Sequence, residues 1–394
     1  MDPRESLQIS GLQDGDSIAA VAQQPKIAAT GRAFALWCGG GHRIVTWGHP
    51  DYGGDSSRVQ DQLRNVQQVR ATRSAFAAIL ADGSVVTWGD PDFGGDSSRV
   101  QHQLTNVQQI CGTQHAFAAI LADGSVVTWG HPEHGGDSST VRHQLRNVQQ
   151  ISSTVAAFAA VLADGTVVTW GSPVNGGDSS RVQYQLMNVQ QICGTLVAFA
   201  AILADGSVVT WGRPGWGGNS SRVQFQLRNV QQICGTLGAF AAVLADGNVV
   251  TWGNPDYGGD SSAVQDQLRN VQQICGTHRA FASILADGTV VTWGDPDYAG
   301  DSSRVQDLLR HVQQICATDS AFATILNDGT AVTWENPSYG GDSSTVQDQL
   351  KNVQEICGTA DAFAAILADG SIVTWGNQAH GGDSSTIEDQ LIYI

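Results

Sequence analysis

A tryptophan returns every 41 residues along this chain, at Trp47, Trp88, Trp129, Trp170, Trp211, Trp252, Trp293, Trp334 and Trp375. Each sits in a near-identical stretch, typified by Ala75–Gln101, AFAAILADGSVVTWGDPDFGGDSSRVQ. Nine copies at a fixed period restrict the fold to an array of one supersecondary unit, each burying its apolar face against the next. Two apolar runs flank Asp82-Gly83, which reads as a hairpin with both turn residues at positive φ. On that reading Phe76, Ala78 and Leu80 share one face, with Val86 and Trp88 alternating on the partner strand. The stretch Asp90–Ser98 suits only a turn. Val66–Val69 reads as a further strand, and Ser98–Leu104 as a strand or one helical turn. Three to four strands in about 41 residues is the size of a propeller blade.

The pattern V-x-x-I-x-G-x-x-x-A-F-A-x-x-L-x-D-G-x-V-x-x-W-G-x-x-x-x-G-G resembles the regulator of chromosome condensation (RCC1-like) repeat. The resemblance spans residues 24–394 and implies an all-β, closed β-propeller. Two features depart from the family. Its Gly-Gln-Leu-Gly turn is here Gly-Gly-Asp-Ser-Ser, and its blades are usually longer and seven in number. A nine-bladed ring is expected, with eight blades and a displaced first copy as the alternative. Some members of the resembling family promote nucleotide exchange on small GTPases, and the repeat is often embedded in ubiquitin ligases. Plant ultraviolet-B photoreceptors share it too, but their clustered tryptophans differ from one tryptophan per blade, for which packing is the expected role.

Residues 1–23 lie outside the repeat and lack the charged and apolar regions of a secretory signal. A packed arm or closing strand is expected there, followed by one domain over residues 24–394. The first copy is degraded, with Leu36-Trp-Cys-Gly-Gly-Gly-His42 in place of ILADG. The last copy stops at Leu391–Ile394 and the first begins at Gln23–Ile27. The two ends are complementary fragments of one unit, as a ring needs if its termini share the closing blade, and closure hides two sheet edges.

The net charge is −17 and only 14% of residues are charged. The 20 Lys and Arg are spread through the copies, which argues against a phosphate-backbone partner. No apolar run approaches the roughly 20 residues that span a bilayer. Six of seven cysteines (Cys111, Cys193, Cys234, Cys275, Cys316, Cys357) fill one column, interrupted by Arg70 and Ser152. At the roughly 10 Å spacing of packed sheets they lie beyond disulfide reach. Free thiols favour a reducing compartment, so a cytoplasmic or nuclear monomer is expected.

No enzyme motif emerges: there is no G-x-S-x-G, H-E-x-x-H, paired C-x-x-C or P-loop. A zinc site drawn from His131, Glu133 and His134 falls in a loop whose other copies hold unrelated residues, so neither metal nor cofactor is expected. The Asp-Ser-Ser turns read as local caps. Two columns are the most informative of those in which an otherwise near-identical unit varies. One precedes Ala-Phe: Arg73-Ser74, Gln114-His115, Val155-Ala156, Leu196-Val197, Leu237-Gly238, His278-Arg279, Asp319-Ser320 and Ala360-Asp361. The other precedes Gly-Gly: Tyr52, Phe93, His134, Asn175, Trp216, Tyr257, Tyr298, Tyr339 and His380. The second column packs between blades or forms a partner-binding rim, and Trp216 beside Arg213 is the strongest anchor, since Trp and Arg dominate interface hot spots. The expected function is a non-catalytic protein-binding scaffold. A small-GTPase regulator or a propeller module related to ubiquitin ligases is the alternative.

Overall fold

The computed structural model describes residues 25–38, 43–387 and 390. Each copy folds into a three-stranded antiparallel sheet, and nine such sheets occur among the described residues. In the second copy the inner strand is Val66–Ala71, the middle strand Ala75–Leu80 and the outer strand Val85–Gly89. Phe76 pairs with Trp88 in register, their rings stacked 5.1 Å apart, and Ala78 pairs with Val86. The middle strand is buried on both faces. Phe76 and Ala78 face the first sheet, while Ala77 and Ile79 face the third. A strand covered on both sides has no reason to alternate, which accounts for the unbroken run AFAAIL. Each buried Phe or Ile contributes about 1.5–3 kcal/mol.

The hairpin turn differs from expectation. Gly83 takes a positive φ of 76°, but Asp82 does not. The Gly83 N–H donates to Leu80 O at 2.9 Å, and the Asp82 carboxylate accepts the Ser84 N–H at 2.9 Å and its hydroxyl at 2.6 Å. This is a type I turn closed by a left-handed glycine. The aspartate is selected as an acceptor, not for a left-handed backbone. The Asp-Ser-Ser segments close on themselves similarly: Asp96 Oδ1 accepts the Ser98 N–H at 2.8 Å, and Asn219 does the same for Ser221 at 3.0 Å. Gln101–Gln103 forms a single 3-10 turn, which resolves the ambiguous segment.

Successive sheets are tied by tryptophan. The Trp88 indole donates to the carbonyl of Gly53 in the preceding copy at 3.0 Å, and this bond recurs in every copy. In the first copy the acceptor is Gly381 of the last. The inner strands neighbour one another in chain order, and Val353–Gly358 lies back against Pro25–Ala29.

The first sheet takes all three strands from its own copy: Pro25–Ala29, Ala33–Cys38 and Ile44–Gly48. No described sheet takes strands from both ends. What the ends share is a core, in which Ile387 packs with Ile27, Phe34, Leu36, Val45 and Trp47. The expected arm over residues 1–23 and the closing segment Leu391–Ile394 lie outside the described residues. The 10 Å spacing expected for the cysteine column is also corrected. Inner strands converge on a common axis and touch: the Ser152 hydroxyl donates to Ile192 O of the next copy at 2.7 Å. The seven cysteines are thiols, and burial pushes Cys193, Cys234, Cys275 and Cys316 up to about 12.

Candidate functional site

At the end of each inner strand a threonine holds the turn that carries the aromatic column. The Thr72 hydroxyl donates to Phe93 O at 2.9 Å and accepts the Ala75 N–H at 3.1 Å. The same bond joins Thr195 to Trp216, Thr277 to Tyr298 and Thr359 to His380. The residue after each threonine then links its copy to the next. The Gly31 N–H donates to Arg73 O at 2.8 Å, Arg73 to Gln114, Gln114 to Val155, and so on to Ala360, whose N–H returns to Gly31 O at 3.0 Å. Nine backbone hydrogen bonds thus run from copy to copy and back to the first. Their side chains line a cavity of about 700 Å³ at the mouth of the axis.

The two variable columns, separate in the sequence, interleave around this mouth. His115 stacks on Phe93 of the preceding copy at 4.1 Å and meets its own copy's His134 at 4.2 Å with the rings tilted. Arg279 lies over Tyr257 at 4.9 Å and over Tyr298 at 4.6 Å. Arg32 lies over Tyr52 at 4.8 Å, and Asp361 pairs with His380 at 2.6 Å. Trp216 packs on Tyr257 at 4.9 Å with Arg213 over its ring at 5.3 Å. Gly238 makes that approach possible, because a Cβ there would meet Trp216 at 3.0 Å and Tyr257 at 3.1 Å. Arg213, Trp216, Tyr257, Arg279 and Tyr298 therefore form one ladder across three copies. Its aromatic members are half-buried. Tyr339 borders the mouth directly and packs on the core beneath the last sheet.

The histidines meet a partner that their own loop did not suggest. His131 and His134 have ring centroids 4.8 Å apart, and His115 joins from the other column. Burial and the two neighbouring imidazoles pull His115 down to about 4, and burial with His131 lowers His134 as well. Nδ1 of His131 and of His134 is buried without a partner. Glu133 points to solvent, and no group of three donors among the described residues is arranged to hold a metal ion.

Charge is unevenly placed round the ring. Residues 230–394 hold 20 of the 37 Asp and Glu but five of the 20 Lys and Arg, whereas residues 25–229 hold 13 and 14. The acidity belongs to the last four copies, while Arg32, Arg73, Arg213 and Trp216 lie in the nearly neutral five before them.

Tandem three-stranded antiparallel sheets, tied by tryptophan and linked from copy to copy, define an all-β repeat protein with a propeller-like arrangement, whose repeat pattern resembles the RCC1-like repeat. No protein-family model matches the chain, and no curated protein matches it significantly. Among solved structures it is similar to Prp20p from Saccharomyces cerevisiae, with 15% identity, 86% of this chain and 90% of that one covered, and a TM-score of 0.46. It is also similar to human WBSCR16, with 17% identity, 59% and 77% covered, and a TM-score of 0.42. A computationally designed protein, Ika8, is similar over 81% of this chain and 98% of its own, with 15% identity and a TM-score of 0.43.

Proposed function

We propose that the nine sheets form a closed nine-bladed propeller that acts as a non-catalytic protein-binding scaffold inside the cell, with the belt around the mouth as its contact surface. One observation carries this reading. Two of the columns in which the unit varies, the innermost one and the aromatic one, converge on one face around one opening. Variable side chains gathered on one contiguous surface give a repeat scaffold a distinctive patch on a regular frame. The belt supplies half-buried Trp, Tyr and Arg, the residue types that dominate interface energetics. Trp216 is its largest side chain and sits on the less acidic side.

The test is capture of binding proteins from the native cell by the intact chain, followed by titration with Trp216→Ala. Loss of the anchor should weaken binding by about thirty-fold, equivalent to roughly 2 kcal/mol, with little change in melting temperature. A variant that melts several degrees lower yet binds as before would show the column to be packing. Regulation of a small GTPase is the second reading, supported by the RCC1-like repeat, and a nucleotide-exchange assay with purified GTPases separates it from passive binding.

A further inference from the structure

We propose that the mouth receives the C-terminal end of a partner chain, its apolar last residue lying on Val155, Leu196 and Leu237 and its carboxylate held by Arg73. The inference deepens the scaffold reading and rests on it. Three consecutive copies place an aliphatic side chain in the innermost column, and all three are partly exposed on the wall of the mouth. Aliphatic groups facing water in adjacent copies make a continuous apolar arc.

Arg73 stands two copies from that arc. It is exposed and makes no ion pair among the described residues. Other charges at or beside the mouth are engaged, Arg32 by the Tyr52 ring over which it lies at 4.8 Å. His278 contacts Asp319 at 2.8 Å and Asp361 contacts His380 at 2.6 Å. Arg279 meets Asp295 at 3.5 Å while lying between two tyrosine rings. Gly31, the preceding member of the column, adds no side chain beside Arg73, and a Cβ there would meet the Arg73 Cγ at 3.5 Å. The backbone cannot serve an anion here, because each N–H of the column is donated to the next copy. Anion recognition falls to the Arg73 guanidinium, whose planar fork matches a carboxylate through two parallel hydrogen bonds.

The mouth opens broadly to solvent, and a small acid needs most of its surface enclosed. A chain end meets the geometry differently. Its last residue carries an apolar side chain and a carboxylate on one Cα. Neighbouring hydrogen-bonded strands stand roughly 5 Å apart, so the arc lies about 10 Å from Arg73, a span that residue and the long arginine side chain cover together. Preceding residues of the partner pass outward over the aromatic belt.

The experiment is an anisotropy titration of the full chain with a fluorescein-labelled hexapeptide, Gly-Ser-Gly-Ser-Ile-Leu, bearing either a free C-terminus or an amide. The free acid should bind at least about ten-fold more tightly than the amide. Arg73→Gln should bring the acid to the level of the amide, and Leu196→Asp should weaken both by about ten-fold or more, without lowering the melting temperature. If Leu196→Asp does not fold, Leu196→Ser replaces it. Equal binding of acid and amide overturns the proposal, as does an acid preference that survives Arg73→Gln. Failure of both peptides while Trp216→Ala still weakens partner capture overturns this inference and leaves the belt reading standing.

Discussion

Trp47 in the first copy donates its indole N–H to the carbonyl of Gly381 in the last, 3.1 Å away across 334 residues of chain. The other eight repeat tryptophans make the same bond to the copy before them, so the two ends are joined as any two neighbouring copies are.

The seam is completed by Ile387, which is 4% exposed in the core of the first sheet. Ile387→Ala should cost about 2–4 kcal/mol. Val223 occupies the same column but is only partly buried, so Val223→Ala should cost about 1 kcal/mol. Chemical denaturation of both variants checks this. Equal effects would mean that the last copy does not cover the first sheet.

A second seam prediction concerns Lys26 and Glu355. Their column holds glutamine in the seven intervening copies, from Gln68 to Gln314. Burial raises the Glu355 carboxyl above its ordinary range, and Lys26 opposes the rise. Lys26→Gln should therefore destabilise the fold at pH 7, by about 1 kcal/mol after solvent screening. The loss should fade toward pH 4, where the carboxyl protonates, and Lys26→Gln with Glu355→Gln should restore stability. Strictly additive single and double variants would indicate that residues 26 and 355 are not neighbours.

Glu335 occupies the column that holds glycine after every other repeated tryptophan, and it keeps a positive φ of 78°. Forcing a side chain into the left-handed region costs roughly 1–2 kcal/mol. Burial, with Asp301 and Asp297 nearby, also raises its carboxyl against the pull of Arg304. A carboxyl whose folded value is raised penalises the fold above its unfolded value and not below it. Glu335→Gly should stabilise the protein by about 1 kcal/mol, more at pH 7 than at pH 4. No rise in melting temperature at pH 7 would refute the strain.

The histidine group sets an acid limit. His115 is held near 4, so its neutral form is favoured in the fold. A depressed histidine contributes stability above its unfolded value of about 6.5, and that contribution is lost as the pH falls toward 4. His115→Ala, which copies Ala156 of the next repeat, should flatten the fall in melting temperature across that window. Parallel pH profiles for the two proteins would count against it.

The thiol column should be inert in the native ring. With Cys193, Cys234, Cys275 and Cys316 pushed up to about 12, little thiolate exists at pH 8. Mass spectrometry after iodoacetamide treatment should show these four modified slowly in the folded protein and fully once it is denatured. Rapid native labelling would place them in a more open setting.

Much of the unit was legible in the sequence because its determinants are local and recur nine times. Asp82-Gly83 marked the hairpin, Phe76 and Trp88 marked the paired faces, and the Asp-Ser-Ser segments marked their own caps. Even so, Asp-Gly alone cannot distinguish a turn with two left-handed residues from one whose aspartate is an acceptor. That depends on which groups of the next residues lie within hydrogen-bond reach. The aromatic column was identified with Trp216 in it, but its interleaving with Arg279, His115 and Gly238 was not visible. Those contacts cross between copies and depend on how sheets fan about an axis.

A period makes every copy equivalent along the chain, so it determined the hairpin, the buried middle strand and the tryptophan tie. It carries no information about which copies face one another. Only the tertiary arrangement placed Lys26 beside Glu355, set the acidic copies against the neutral ones, and left Arg73 without an ion pair two copies from an apolar arc. Those relationships come from closing the chain on itself. Closure is decided by the small, constant rotation between packed sheets, a quantity summed over all the interfaces and written in no single stretch of sequence.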